Sequence, residues 1–307
     1  MKFETYRKPG RIHRRTVAAR ATSELRRLFQ TEFTGDDWAF ETRLNGSFAN
    51  RVMTNNSDID FLITLTRPMW SAHDHYLIDE GSARRSPPEV KHSWKQFRDR
   101  VLRAVERQFG SRAVTDNSKA IQVTSTTLGV PIDIVVTVGL QYSGQAVTST
   151  ARVDSGVSLW TSDGTELLHF PFLHRRRGKV KQISTGGCYQ RAVRDLKSIR
   201  DWLVDRERIP PDSAPGYYIE HLCRSVPDWV YTELDCQSVY SVIAYLQTKS
   251  LSEQTIIAGS KPMFGSHEVQ WSVEDCRRLL REAAGFLQSE EMSPGSSRLT
   301  VLTGSER

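Results

Sequence analysis

The chain has 307 residues, 38% apolar and 25% charged, with a formal net charge of +6. That composition excludes disordered and fibrous classes, and the length exceeds what one small core needs, so two subdomains are expected. No apolar run approaches about twenty residues and no signal-peptide core is seen, so no membrane span and a cytoplasmic location are expected.

In chain order, residues 14–30 place Val17, Ala21, Leu25 and Leu28 at helical spacing with arginines opposite, so the basic start reads as an amphipathic helix rather than a transit peptide. A turn is expected at Gly46-Ser47 and a strand in DIDFLITL, 58–65; residues 67–88, with Gly81 and Pro87-Pro88, read as a long loop. EVKHSWKQFRDRVLRAVERQFG, 89–110, is an amphipathic helix with Trp94, Phe97, Val101, Val105 and Phe109 on one side, stopped by Gly110. Residues 119–125 and 130–140 are β-rich, and GVSLWTSDGTELLHF reads as a hairpin about Asp163-Gly164. After about residue 170 the composition turns helical, with helices expected at 188–207, 217–226, 238–249 and 272–288. The expected division is therefore a mixed α/β unit over 1–170, a helical unit over 171–292 and a mobile tail over 293–307. Cys188, Cys223, Cys236 and Cys276 lack metal-ligand spacing and read as buried free thiols.

The chemistry concentrates in GSFANRVMTNNSDIDF, 46–61. Alternation along a strand sends Asp58 and Asp60 to one face and Ile59, Phe61 and Ile63 to the other. Two carboxylates so close repel, and one would take a proton unless a cation neutralises them. A hard divalent cation with oxygen ligands does so, and Mg²⁺ takes one or two carboxylates plus substrate phosphates. Asp133, in the apolar run VPIDIVVTV, would complete a triad for two ions on an adjacent strand, the template for in-line phosphoryl transfer. Upstream, Gly46 would let backbone amides approach a phosphate, and Ser47 would add a hydroxyl. The positive balance fits such an anionic ligand, whether nucleotide phosphates or nucleic acid.

The combination resembles the polymerase-β-like nucleotidyltransferases: Leu44-Asn45-Gly46-Ser47, then Asp58-Ile59-Asp60, then Asp133 on a later strand. The resemblance implies an α/β (α+β) catalytic core with a mixed sheet, an active site in the cleft to a helical domain, catalytic metal ligands at Asp58, Asp60 and Asp133, and triphosphate contacts at Gly46 and Ser47. The ions would be two Mg²⁺, with Mn²⁺ a possible substitute. HFPFLHRRRGKVKQISTGGCYQRAVRDLKSIRDWL and GYYIEHLCRSVPDWVY further resemble the cGAS/DncV-like branch, the bacterial cyclic-oligonucleotide synthases, in a Pro and basic loop, an Arg-x-x-Lys helix and a Tyr-x-x-Glu helix.

A bound triphosphate needs cations opposite the carboxylates. Lys197 is the first candidate, followed by Lys181, with Arg194 and Arg191 on the Lys197 helix face. Arg175-Arg176-Arg177 reads as a solvated loop, and Tyr217 and Glu220 as packing residues. What the resemblance implies is synthesis of a cyclic di- or trinucleotide from ATP, GTP or pyrimidine triphosphates, and a product that activates an effector protein in antiphage defence. No zinc-ligand insertion is present, which argues against triggering by nucleic acid. The alternatives are a template-independent transferase acting on an RNA end or small molecule, and a non-catalytic nucleotide-binding protein. A basic stripe running beyond the cleft would favour the first, and a broken triad would be needed for the second.

Overall fold

The computed structural model describes residues 11–36, 38–54, 57–73, 86–126, 128–143, 154–231, 237–251, 263–265 and 270–291. Its first half contains α1 (Arg11–Glu32), β1 (Phe40–Leu44), a single turn α2 (Gly46–Ala49), β2 (Ile59–His73), α3 (Pro88–Phe109), β3 (Val114–Asp116), β4 (Ile121–Val123), β5 (Ile132–Ser143), β6 (Asp154–Trp160) and β7 (Glu166–His169). The second half is helical, with α4 (Pro171–Ser184), α5 (Cys188–Val204), α6 (Gly216–Ser225), α7 (Gln237–Gln247) and α8 (Val273–Glu291).

The strands form one mixed sheet in the order β1-β2-β5-β4-β3, with β6 continuing from β5 and β7 from β6. Only β2 and β5 run parallel; each other pair is antiparallel. Alternation places Ile59, Phe61, Ile63 and Leu65 of β2, with Ile132, Ile134, Val136 and Val138 of β5, on one buried face. Helices α1 and α3 cover that face. Pro88 opens α3 at a position that needs no N–H donor, and Gly110, at φ +84°, closes it. Val90, Trp94, Phe97, Val101 and Val105 share its buried stripe. The Trp94 indole N–H donates to the Val136 carbonyl at 2.8 Å, so its burial leaves no orphan donor.

A second core fills the helical half, with Leu196 and Ile199 of α5, Ile219 and Leu222 of α6, Val242 of α7 and Leu279 of α8. One of its members comes from far upstream. Val52, on the segment between α2 and β2, is 1% exposed within this second cluster. Two residues later, the Thr54 hydroxyl donates to Asp201 of α5 at 2.8 Å.

Several expectations are corrected. Of the loop expected at 67–88, residues 67–73 are strand, because β2 runs on to His73 and resumes pairing with β5 at Trp70 after an irregularity that follows Leu65; the Arg67–Pro68 peptide there is cis, and residues 74–85 lie outside the described ones. The basic stretch 175–177 is not a loop but the middle of α4, which Pro171 initiates and which arginine and lysine, both good helix formers, sustain. Strands β1 and β3 carry too short an apolar pattern to be read from sequence; pairing to β2 and β4 makes them strands. Cys188, Cys223 and Cys276 are free and buried, while Cys236 and the tail from Ser293 lie outside the described residues.

Candidate active site

The face of β2 and β5 opposite the core carries the carboxylates. The parallel register sets Asp60 directly beside Asp133. Both are half-buried, and Asp58, two residues earlier on the same face, is exposed at the strand entrance. Burial, then the charges of Asp133 and Asp58, raise the Asp60 carboxyl to about 6. Burial, then the charge of Asp58, raises Asp133 too, partly relieved by a hydrogen bond from the Gln122 side-chain amide at 3.2 Å. Asp60 and Asp133 thus resist their charge, first through burial and then through their acidic neighbours, and such a donor set fits a hard divalent cation. Among the described residues no three acidic, His or Cys side chains close into an all-protein metal cage, so phosphate and water oxygens would have to complete the shell.

The Gly46-Ser47 turn packs onto this site. The Asn45 N–H donates to the Asp60 carbonyl at 2.9 Å, continuing the β1–β2 ladder to the turn. Gly46 adopts φ +59°, and a Cβ built on it would lie 1.6 Å from Asp60 Oδ2. Only glycine fits here, on both counts. The structure therefore brings five of the sequence-predicted residues to one place: Gly46, Ser47, Asp58, Asp60 and Asp133.

The predicted cations divide. Lys197 is 1% exposed; its ammonium donates to Ser47 Oγ at 2.8 Å and to Glu220 Oε1 at 2.6 Å. Arg194, a turn earlier on α5, donates to the Arg51 carbonyl at 3.0 Å, on the segment that follows α2. Lys181 is not gathered with them. It binds the Val226 carbonyl and Asp228 and lies over the Tyr231 ring, which makes it a cation of the helical half.

Sequence reasoning missed the buried group behind Lys197. Glu220, read as a packing residue, also receives hydrogen bonds on Oε2 from Asn50 Nδ2 and His174 Nε2, each at 2.8 Å. Burial works to raise the Glu220 carboxyl, but the Lys197 charge and the contacts of His174 and Lys197 outweigh that and lower the carboxyl to about 2. The available signal was a Glu and a Lys each set among apolar residues, Ile219 and Leu222 on α6, Leu196 and Ile199 on α5. Tyr217 lies against the His174 and His221 rings, with centroids at 5.4 and 4.5 Å. Against α2, a cavity of about 640 Å³ is lined by Arg26, Arg43, Phe48, Arg51 and Arg175 together with Leu44 and Ala49.

Comparison with known proteins bears on the fold and its relatives. Residues 176–288 match the model of the cGAS/DncV-like nucleotidyltransferase C-terminal helical domain. The cyclic UMP-AMP synthase of Rhodothermus marinus (strain SG0.5JP17-172) is 28% identical over 270 residues, covering 87% of this chain and 91% of that protein. The cyclic nucleotide synthase CdnE01 of Staphylococcus haemolyticus is 22% identical over 290 residues, covering 88% and 94%. A solved structure of the Rhodothermus marinus CdnE c-UMP-AMP synthase, with Apcpp and Upnpp, shares the fold at a TM-score of 0.71 and 24% identity over 91% of this chain and 94% of that one. With the glycine-serine turn and the facing aspartates in place, the chain is similar to the cGAS/DncV-like nucleotidyltransferases, and its residues 176–288 match their C-terminal helical domain.

Proposed function

We propose that the protein joins nucleoside triphosphates into a cyclic di- or trinucleotide with release of pyrophosphate, using Asp58, Asp60 and Asp133 with two Mg²⁺ ions, or Mn²⁺ in their place. The observation that carries this reading is the packing of Gly46 against the Asp60 carboxylate, which puts a phosphate-binding turn and the acidic face in contact. Bound divalent ions would activate the attacking hydroxyl and offset charge on the departing pyrophosphate. The protein's own part is positional. The first amides of α2 have no partner within that turn and suit phosphate oxygens, and Ser47 adds a hydroxyl beside them. Asp60 and Asp133, fixed by their strand register, hold the acidic end of the site still. The name of the Rhodothermus marinus relative, a cyclic UMP-AMP synthase, supports a cyclic product made from two nucleotides. In the cell the product would activate an effector protein, and antiphage defence is the role the family resemblance supports.

A second reading has its own support. The cavity against α2 is a basic surface that draws Arg26 from α1 and Arg175 from α4 as well as Arg43 and Arg51, as a transferase acting on an RNA end would need. Incubation with four labelled nucleoside triphosphates and Mg²⁺ or Mn²⁺, followed by phosphatase and chromatography, separates the two. We expect a phosphatase-resistant product of low mass that the Asp58→Ala/Asp60→Ala variant does not make. Label that enters only added RNA would favour the second reading.

A further inference from the structure

The buried group behind the turn has a geometry that assigns it a task. An ammonium carries three N–H donors and no acceptor, so in the 2.8 Å contact with Ser47 the proton comes from Lys197. The Ser47 oxygen therefore spends a lone pair on Lys197, and its single O–H must point elsewhere. A hydroxyl that accepts a charge-assisted hydrogen bond is itself a stronger donor. Lys197 is in turn held by Glu220 at 2.6 Å, and the same carboxylate is held by Asn50 and His174. The free choice of each group is small. Lys197, Glu220 and His174 are 1%, 3% and 7% exposed, and a methyl on Gly216 would come within 3.1 Å of the ammonium. Among the described residues His174 Nδ1 has no hydrogen-bond partner, so the hydrogen bond of that ring is the one to Glu220.

The charge balance is as informative as the geometry. Lys197 and Glu220 together carry no net charge, so the pair is poorly suited to act as a plain cationic clamp on a triphosphate. A buried ion pair is also no cheap way to fill a core, since apolar residues of similar size do as well or better. Its contacts run from α4, α5 and α6 to α2 and the residue after it, and they end on the Ser47 hydroxyl.

We propose that His174, Asn50 and Glu220 are positioning residues that hold Lys197 against Ser47, so that Ser47 presents its proton, not a lone pair, to the bound triphosphate. The inference rests on the proposed nucleotidyl-transfer reading. Its test is a double-variant cycle read by calorimetry. Binding of ATP, GTP, CTP and UTP is measured, and the tightest is carried forward with its monophosphate as control. We expect Ser47→Ala and His174→Leu each to weaken triphosphate binding about ten- to a hundredfold and to leave monophosphate binding unchanged. His174→Gln, which keeps a nitrogen donor, should recover most of the loss. Combining His174→Leu with Ser47→Ala should cost no more than Ser47→Ala alone, because the relay acts through that hydroxyl. Additive losses, or equal losses for triphosphate and monophosphate, would overturn the proposal. Asn50→Ala, taken through the same cycle, replaces His174→Leu if that variant does not fold. Binding is read without turnover, so a wild type that binds triphosphate but yields no cyclic product sinks the functional reading and leaves the relay to be judged by the cycle. A wild type that binds no triphosphate sinks both.

Discussion

Gly46 and Asp60 define each other's positions. A methyl at Gly46 would overlap Asp60 Oδ2, and the backbone there sits at φ +59°. Gly46→Ala should therefore push the carboxylate out of register with Asp133. We expect destabilisation of at least about 1 kcal/mol from the backbone conformation alone, seen in a urea titration, and about a hundredfold loss of nucleotide consumption from the displaced carboxylate. Asp60 also makes a pH signature. Its folded value, about 6, lies above its ordinary 3.8, so the folded protein holds this proton more tightly than the unfolded chain. The stability it contributes is complete below the ordinary value and is lost as pH rises through the folded one. In metal-free protein, the stability of wild type relative to Asp60→Asn should fall between about pH 4 and pH 7. Adding Mg²⁺ should reverse the fall at the upper end. A flat difference across that range would show that Asp60 is not under strain from its neighbours.

At the scale of elements, β2 and β5 carry the site and α3 holds them in place. Phe97 of α3 is fully buried and packs against Phe33, Trp38 and Phe40. Phe97→Ala should cost about 3–5 kcal/mol in a denaturant titration, and since it lies on the core side of the sheet, surviving folded protein should keep its metal and triphosphate affinities. The elements that sequence made legible are those with a strong period. α3 repeats apolar residues every third or fourth position, and β2 and β5 alternate or run apolar about one aspartate each. Chemistry written into a strand was legible for the same reason: a carboxylate in an apolar strand has no packing purpose. What escaped has a physical cause too. β1 and β3 are strands because a neighbour completes their hydrogen bonds, and α4 hid behind a run of charge that resembles a solvated loop.

The whole molecule is held together where sequence distance is greatest. Asn50 meets Glu220 across 170 positions, Lys197 meets Ser47 across 150, and Thr54 meets Asp201 across 147. No periodicity in one chain reports such pairs, so the triad was legible while the relay behind it was not. Arg194 and Lys197 share a helix face in sequence, yet the fold gives one to the Arg51 carbonyl and buries the other. The proposed relay and the triad nonetheless share one short stretch, residues 46–60, which supplies the glycine-serine turn, two members of the relay, Ser47 and Asn50, and two of the carboxylates.

Val52 sits in that stretch and completes the core of the other half. A recombinant fragment cut at the helical boundary would carry an unfilled socket, and grafting that fragment onto a foreign catalytic unit would fail unless the graft supplied a matching plug. The two halves are therefore matched in shape: a change in the helical socket calls for a compensating change six residues from Gly46, close to the glycine-serine turn.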